Sequence, residues 1–273
     1  MDADAQAARA ASHTAIYAAI VRAMHFRSGG PHRILDDSVA ELLLGPDMPA
    51  VPAPGDMNAR AGVLLRSRFA EDRLAQAVGR GVSQLIVLGA GLDSFAYRQP
   101  PWAQALSIYE IDQPSSQSDK RRRLAEAAVD IPGNVTLVPI DFERTSLTDG
   151  CAATGIDLGI PAFFTCLGVL GYLNRQAVAD IFKFVAEFPA GSEIVFTYFG
   201  APIPPAVLEF ISKTNEPLLT VLDPGELAAD LRKLGFVEIA TLEPDEADRR
   251  YFGKRSDGLK APRSPVISAA ILG

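Results

Sequence analysis

Cysteine and histidine are scarce in this chain. Cys151 and Cys166 are the only cysteines in 273 residues, and they offer neither metal-ligand spacing nor a disulfide framework. The three histidines, His13, His25 and His32, lie near the N-terminus, with no histidine or cysteine partner at ligand spacing. No metal is expected. Basic stretches are missing too, apart from Lys120–Arg123, and the formal net charge is −7. Such a chain lacks the phosphate-neutralising surface on which sequence-independent nucleic-acid binding rests. The longest strongly apolar run, Pro161–Leu173, is too short and too glycine-broken to span a bilayer. The opening MDADAQAARA has neither the basic nor the apolar region of a signal peptide. The expectation is a cytoplasmic protein with no nucleic-acid or membrane partner.

Apolar residues, by contrast, make up 48% of the chain, enough for a sizeable core. Residues from about Ala5 to Phe26 read as an amphipathic helix, with Tyr17, Ile20, Val21 and Met24 forming one stripe. Asp36–Leu44 reads as a second short helix with an acidic cap, and Gly45–Asp56 as an exposed, proline-rich connection. From Met57 helices and strands alternate. A helix to about Val78 precedes strands near Leu85–Leu88, Leu106–Ile111, Val135–Ile140, Ala162–Cys166 and Glu193–Tyr198. Between the last two, Val178, Ile181, Phe182 and Val185 give a helical stripe, and late strands are expected at Phe236–Leu242 and Pro265–Leu272. This pattern predicts an α/β fold with a mostly parallel sheet and helices on both faces. The first helix reads either as packing onto the core or as a lid over a ligand, two compatible roles. Residues 1–56 are expected to form this helical segment and connection, and 57–273 the core.

The segment Gln84–Arg98, QLIVLGAGLDSFAYR, reads as a buried strand, a glycine turn and a helix start. Gly89, Ala90 and Gly91 let a ligand approach the main chain closely. Asp112 ends the next apolar run, where a carboxylate can accept hydrogen bonds from both hydroxyls of a ribose. The unit therefore points to a nucleoside-bearing cofactor. A dinucleotide fingerprint would carry a third glycine, but Ser94 stands there, and Asp93 would repel a pyrophosphate. S-Adenosylmethionine, which has no phosphates, meets no such penalty. A nucleotide-dependent oxidoreductase is accordingly disfavoured.

QLIVLGAGLDSFAYR, YEIDQP, VTLVPIDFE and FTCLGVLGYL occur in order, with RSRFAEDRL upstream and GFVEI and RYFGKRSDGL downstream. In this the chain resembles the leucine carboxyl methyltransferase-like family of S-adenosylmethionine-dependent O-methyltransferases, especially its bacterial branch, from about Ser12 to the C-terminus. The resemblance implies a class I methyltransferase, Rossmann-like core under an N-terminal helical lid. It implies that Arg66, the first arginine of R-x-R, binds the carboxylate of the methionine moiety, a good partner for a guanidinium fork. Without it, Arg66 and Arg68 would read as salt-bridge partners of Glu71 and Asp72. It matches Asp112 to an E-x-D motif, with Gln113 helping to position adenosine. It further implies that Asp141 hydrogen-bonds the adenine amino group and that Phe142, in place of the usual leucine, flanks the ring.

Glu110 is expected to turn to the opposite strand face from Asp112, in a structural role, and Lys120–Arg123 to be a solvated helix face. In the eukaryotic leucine carboxyl methyltransferases a glutamate stands five residues before the motif tyrosine; Leu167 takes that place here. That departure puts protein-phosphatase tail methylation in doubt and suggests a more apolar pocket, which Tyr172 and Tyr198 could line. His13 as a base, and Arg249, Arg250, Lys254 and Arg255 as anion holders or loop braces, stay open, and no catalytic residue is assigned. The expected activity is S-adenosylmethionine-dependent O-methylation of a carboxylate or hydroxyl on a small molecule, a secondary metabolite. The alternative is a silent cofactor-binding homologue acting as sensor or assembly partner.

Overall fold

Leu85–Leu88, short, uncharged and half β-branched, lies within the first strand of the sheet. The computed structural model describes residues 12–28, 30–49, 57–203, 205, 208, 209 and 216–273. The first strand, β1 (Gln84–Leu88), is buried at all five positions. It pairs in parallel with β2 (Ser107–Asp112) on one side and β4 (Ala162–Cys166) on the other. β3 (Val135–Pro139) extends the sheet beyond β2 and β5 (Glu193–Tyr198) beyond β4, both in parallel. β7 (Val266–Leu272) then pairs antiparallel with β5 and with β6 (Phe236–Thr241), so the order is β3-β2-β1-β4-β5-β7-β6.

The strands alternate with a period of two between two apolar clusters. Leu85, Val87, Ile108, Phe163 and Val195 join one; Ile86, Leu88, Ile111, Phe164 and Phe196 join the other. That double burial identifies a sheet covered on both sides. Strand order reverses at the β1/β4 junction, where open α/β sheets gather their ligands beyond the strand carboxyl ends.

The first described helix, α1, covers His13–Ser28. The part of the expected helix before residue 12 lies outside the described residues. Burial on α1 exceeds the expected single stripe: Ala18, Ala19, Val21, Arg22, Ala23, Met24 and His25 are all buried. The small alanines allow close packing on a second side, against α2 (Ala40–Leu44). α2 starts later than the expected Asp36, and its N-cap is Val39, without a side-chain cap; two residues earlier, Asp37 Oδ1 accepts from the Val39 and Ala40 N–H groups at 3.2 and 3.0 Å. In the proline-rich connection, Gly45–Asp47 forms a 3-10 turn, and residues 50–56 lie outside the described residues. α3 (Met57–Gly79) matches its expected span closely.

The crossover from β1 to β2 departs from expectation. No α-helix follows the glycine turn; two 3-10 turns, Phe95–Tyr97 and Pro101–Ala103, fill the connection. Pro100 and Pro101 lack the N–H groups a helix would need there and restrict the residues before them. Later crossovers use α4 (Pro114–Glu126), α5 (Leu147–Cys151) and α6 (Arg175–Ala186). α7 (Pro224–Lys233) leads into β6, and the four-residue α8 (Pro244–Ala247) follows it. Among the described residues no helix is long and apolar enough to cross a membrane.

Lys120 and Arg123 on α4 are not solvated. Lys120 is 1% exposed, its Nζ 2.8 Å from Glu110 Oε2, and Arg123 pairs with Asp119 and Asp47. Only Arg121 and Arg122 of the run are exposed. The expectation for Glu110 is corrected too, because residues two apart share a strand face. Glu110 lies on the same side as Asp112, fully buried, and accepts from Tyr97 Oη at 2.8 Å. Its role is the expected structural one.

Candidate active site

A cavity of about 600 Å³ opens beyond the carboxyl ends of β1, β2 and β4. All eight residues singled out from the sequence reach it: Arg66, Gly89, Ala90, Gly91, Asp112, Gln113, Asp141 and Phe142. The turn after β1 forms the floor. Gly89 has φ +74°, and a Cβ there would run into the Val169 side chain, so only glycine fits. The N–H groups of Gly89 and Ala90 both donate to the Ile111 carbonyl, at 2.8 and 3.1 Å, which pulls the turn onto β2.

Asp112 completes that link. Its Oδ2 accepts from the Gly91 N–H at 2.6 Å and its Oδ1 from the Gln113 N–H at 2.7 Å. The Ser116 side chain adds a further hydrogen bond, and the carboxylate lines the cavity with acceptor capacity to spare. Burial raises the Asp112 pKa, against the stabilising pull of the two N–H groups and of Lys120. Gln113 is the N-cap of α4, with Pro114 at the first helical position. Asp141 follows β3 and accepts from the Glu143 N–H at 3.0 Å, while Phe142 packs partly against the core.

Arg66 enters from α3. It makes no ion pair among the described residues, in contrast to Arg68, whose Nε donates to Asp72 at 2.8 Å. Burial, and then Arg22, push the Arg66 pKa down to about 10, so the guanidinium is charged at neutral pH. Gly168, with φ +76°, makes room for it, since a Cβ there would collide with the guanidinium. A half-buried, charged guanidinium on the cavity wall, with no ion pair among the described residues, fits a ligand carboxylate.

Other expectations divide. Leu167, Tyr172 and Tyr198 line the cavity. His13 is exposed and off the wall. Arg250 pairs with Glu246, and Arg255 pairs with Asp257 and donates to the His32 carbonyl at 2.6 Å. Of the two, Arg255 ties its loop to the N-terminal segment, whereas the Arg250 pair is local and half-exposed. Among the described residues no group of three or more metal-ligating side chains gathers.

The family model of leucine carboxyl methyltransferase matches residues 15–186. This chain belongs to that family. It is 30% identical over 208 residues to the Bacillus subtilis (strain 168) protein named "Putative S-adenosyl-L-methionine-dependent methyltransferase YktD", covering 72% of this chain and 68% of that one. The fold is similar to the crystal structure of a "putative methyltransferase" from Thermobifida fusca YX, with TM-score 0.59, 17% identity and coverage of 97% and 95%. It is also similar to magnesium protoporphyrin IX methyltransferase from Synechocystis PCC 6803 with bound SAH, with TM-score 0.50, 14% identity and coverage of 94% and 99%. The sheet of this chain is of the class I methyltransferase kind, with one antiparallel strand.

Two features had no clear signal in the sequence. One is a buried charge network: Arg22 Nε donates to Asp37 at 2.8 Å, its Nη2 donates to the Leu92 carbonyl at 2.6 Å, and Ser94 Oγ donates to Asp37 at 2.6 Å. Arg98 joins it, bridging Asp37 and Glu71. Burial alone would raise the Asp37 pKa, but the two guanidiniums outweigh it and hold the carboxyl below its usual value. Ser94, at the third glycine position, is thus an anchor for the segment between α1 and α2. The other is the contact of Thr14 Oγ1 with Glu216 Oε2 at 2.6 Å, which ties the start of α1 to a distant loop across the cavity.

Proposed function

We propose that this protein methylates a carboxylate or hydroxyl oxygen of a small molecule, using S-adenosylmethionine as methyl donor. The observation that carries the reading is Arg66, charged and without an ion pair among the described residues, in one cavity with the β1 turn and Asp112. In this reading Arg66 holds the carboxylate of the amino-acid moiety, and Asp112 accepts from the ribose hydroxyls. Gly89, Ala90 and Gly91 give the ligand access to the backbone. Gln113, Asp141 and Phe142 hold the adenine end, with Phe142 against the ring. The bound sulfonium supplies an activated methyl group, so the hard chemistry resides in the cofactor.

The chain's own work is alignment and exclusion of water. The segment up to residue 56 is the cover in this reading and 57 onward the core. Ala15 of α1 supports this, since a Cβ on Gly91 would lie 3.1 Å from the Ala15 methyl. No protein group is needed to activate a carboxylate, which is already a nucleophile at neutral pH. A secondary metabolite is the class of acceptor proposed.

Arg66→Ala tests the carrying observation. It should weaken binding of S-adenosylhomocysteine by about 1.5–3 kcal/mol, the worth of a hydrogen bond to a charged group. Adenosine, which lacks the carboxylate, should bind the variant as it binds the wild type. Equal losses for both ligands would remove Arg66 from this role.

A further inference from the structure

Asp93 is a cavity acid to which the reading above gives no ligand group. Asp112 and Asp141 belong there to the nucleoside. Glu143 accepts from the backbone and side-chain N–H groups of Asn174, and Glu216 accepts from Thr14 Oγ1. Asp93 stands two residues beyond Gly91, on the turn that floors the cavity. It is half-buried, and its Oδ1 accepts from the Phe95 N–H at 2.9 Å. It forms no ion pair among the described residues.

The backbone on both sides of this carboxylate is anchored. The Asp93 N–H donates to the Ala90 carbonyl at 2.7 Å, closing the turn. Just before it, the Leu92 carbonyl accepts from Arg22 Nη2 at 2.6 Å; just after it, Ser94 Oγ donates to Asp37 at 2.6 Å. A group held in advance loses little freedom when a ligand binds. Two guanidiniums feel its charge. Arg98 is already held by Glu71 and Asp37. Arg66 has no ion pair among the described residues, and it shares the cavity wall with Asp93.

We infer that Asp93 receives the ammonium group of the cofactor's amino-acid moiety, so that Arg66 and Asp93 together recognise a zwitterion. The inference rests on the methyltransferase reading and deepens it. An α-amino acid bears its two charged groups on one carbon, so a carboxylate seated on Arg66 leaves the ammonium close by. An ammonium has donors only, and a carboxylate oxygen is its strongest side-chain acceptor. Asp93 Oδ2 is open to it, because Phe95 engages Oδ1. The charge that disfavours a pyrophosphate at this turn thereby favours an amino acid.

The test is calorimetric titration of the full chain near neutral pH with two ligands. One is S-adenosylhomocysteine; the other is its analogue with hydrogen in place of the amino group. Wild-type protein should bind S-adenosylhomocysteine about tenfold more tightly than the analogue. Asp93→Asn keeps an acceptor for the Phe95 N–H but removes the charge. It should weaken S-adenosylhomocysteine about tenfold and leave the analogue within about twofold, bringing the two affinities together. Asp93→Ser, whose hydroxyl can also accept from Phe95, makes the same comparison if the asparagine variant does not fold. A wild-type ratio near one would overturn the inference. So would a ratio unmoved by substitution, whether both ligands lose equally, as for a residue that only braces the turn, or neither loses. Wild-type protein that binds neither ligand would overturn the methyltransferase reading instead.

Discussion

Asp112 joins two requirements in one side chain, holding the turn through the Gly91 N–H and presenting a carboxylate to the cavity. Because burial raises its pKa, the folded chain keeps this proton at pH values where the unfolded chain has lost it. Its contribution to stability is therefore fully present below the ordinary carboxylate range and is lost as pH rises through the folded value. Ligand affinity runs the other way, since ribose hydroxyls donate to the ionised form. Affinity for S-adenosylhomocysteine should climb from acid pH and level off toward neutrality. Asp112→Asn should flatten that profile and weaken neutral-pH binding by about 1–3 kcal/mol. A wild-type profile already flat across the acid range would separate the carboxylate from ribose recognition.

Nearby, Lys120 and Glu110 form an ion pair with both side chains almost wholly buried. Removing one partner leaves a charge in an apolar interior, which costs about 3–5 kcal/mol, whereas removing both costs much less. Lys120→Met alone should destabilise the protein by about that amount in urea denaturation. The double variant Lys120→Met, Glu110→Gln should recover more than half of the loss. Strict additivity of the two single effects would contradict a coupled pair.

Among the elements, α1 departs most from a sequence pattern and carries a pH-sensitive anchor. His25 Nε2 accepts from the Ile34 N–H at 2.9 Å, so protonation and this bond exclude one another. Burial first, and then Arg255, lower its pKa from 6.5 to about 4. On acidification the unfolded chain takes up this proton before the folded one. The contribution is therefore present above pH 6.5 and lost as pH falls toward about 4. His25→Gln, which offers a non-titrating acceptor, should show a shallower fall in Tm across that window than the wild type. Parallel Tm curves would show that His25 does not supply the slope.

Periodicity located the elements whose burial it reports. Strands β1 to β7 and helix α3 fall within a residue or two of their sequence expectations because apolar alternation and length specify them directly. The missing helix after β1 was legible only in part. Pro100 and Pro101 were visible, but the glycine turn resembles those that open onto a helix. Lys120 and Arg123 show the opposite failure: a run of four basic residues reads as solvated, and although Asp119 lies at i,i+4 from Arg123, only the third dimension supplies Glu110 and Asp47 as partners.

Across the whole molecule, the eight candidate residues spread from position 66 to position 142 converge because parallel strands deliver their carboxyl ends to one edge. Local spacing made Gly89–Gly91 and Asp112 legible, and resemblance added Arg66, Gln113, Asp141 and Phe142. Glu216, Thr14, Ser94 and Asp37 stayed hidden because each acts through a partner between 57 and 202 residues away. No local pattern encodes such a pairing.

The central claim is that this cavity takes a nucleoside cofactor bearing a carboxylate and no phosphate. Calorimetric titration of the protein with S-adenosylmethionine and S-adenosylhomocysteine, with NAD as the control, tests it most directly. Saturable binding of both sulfur ligands and none of NAD is the predicted result. A folded protein that binds neither sulfur ligand, or binds NAD as tightly, would contradict it.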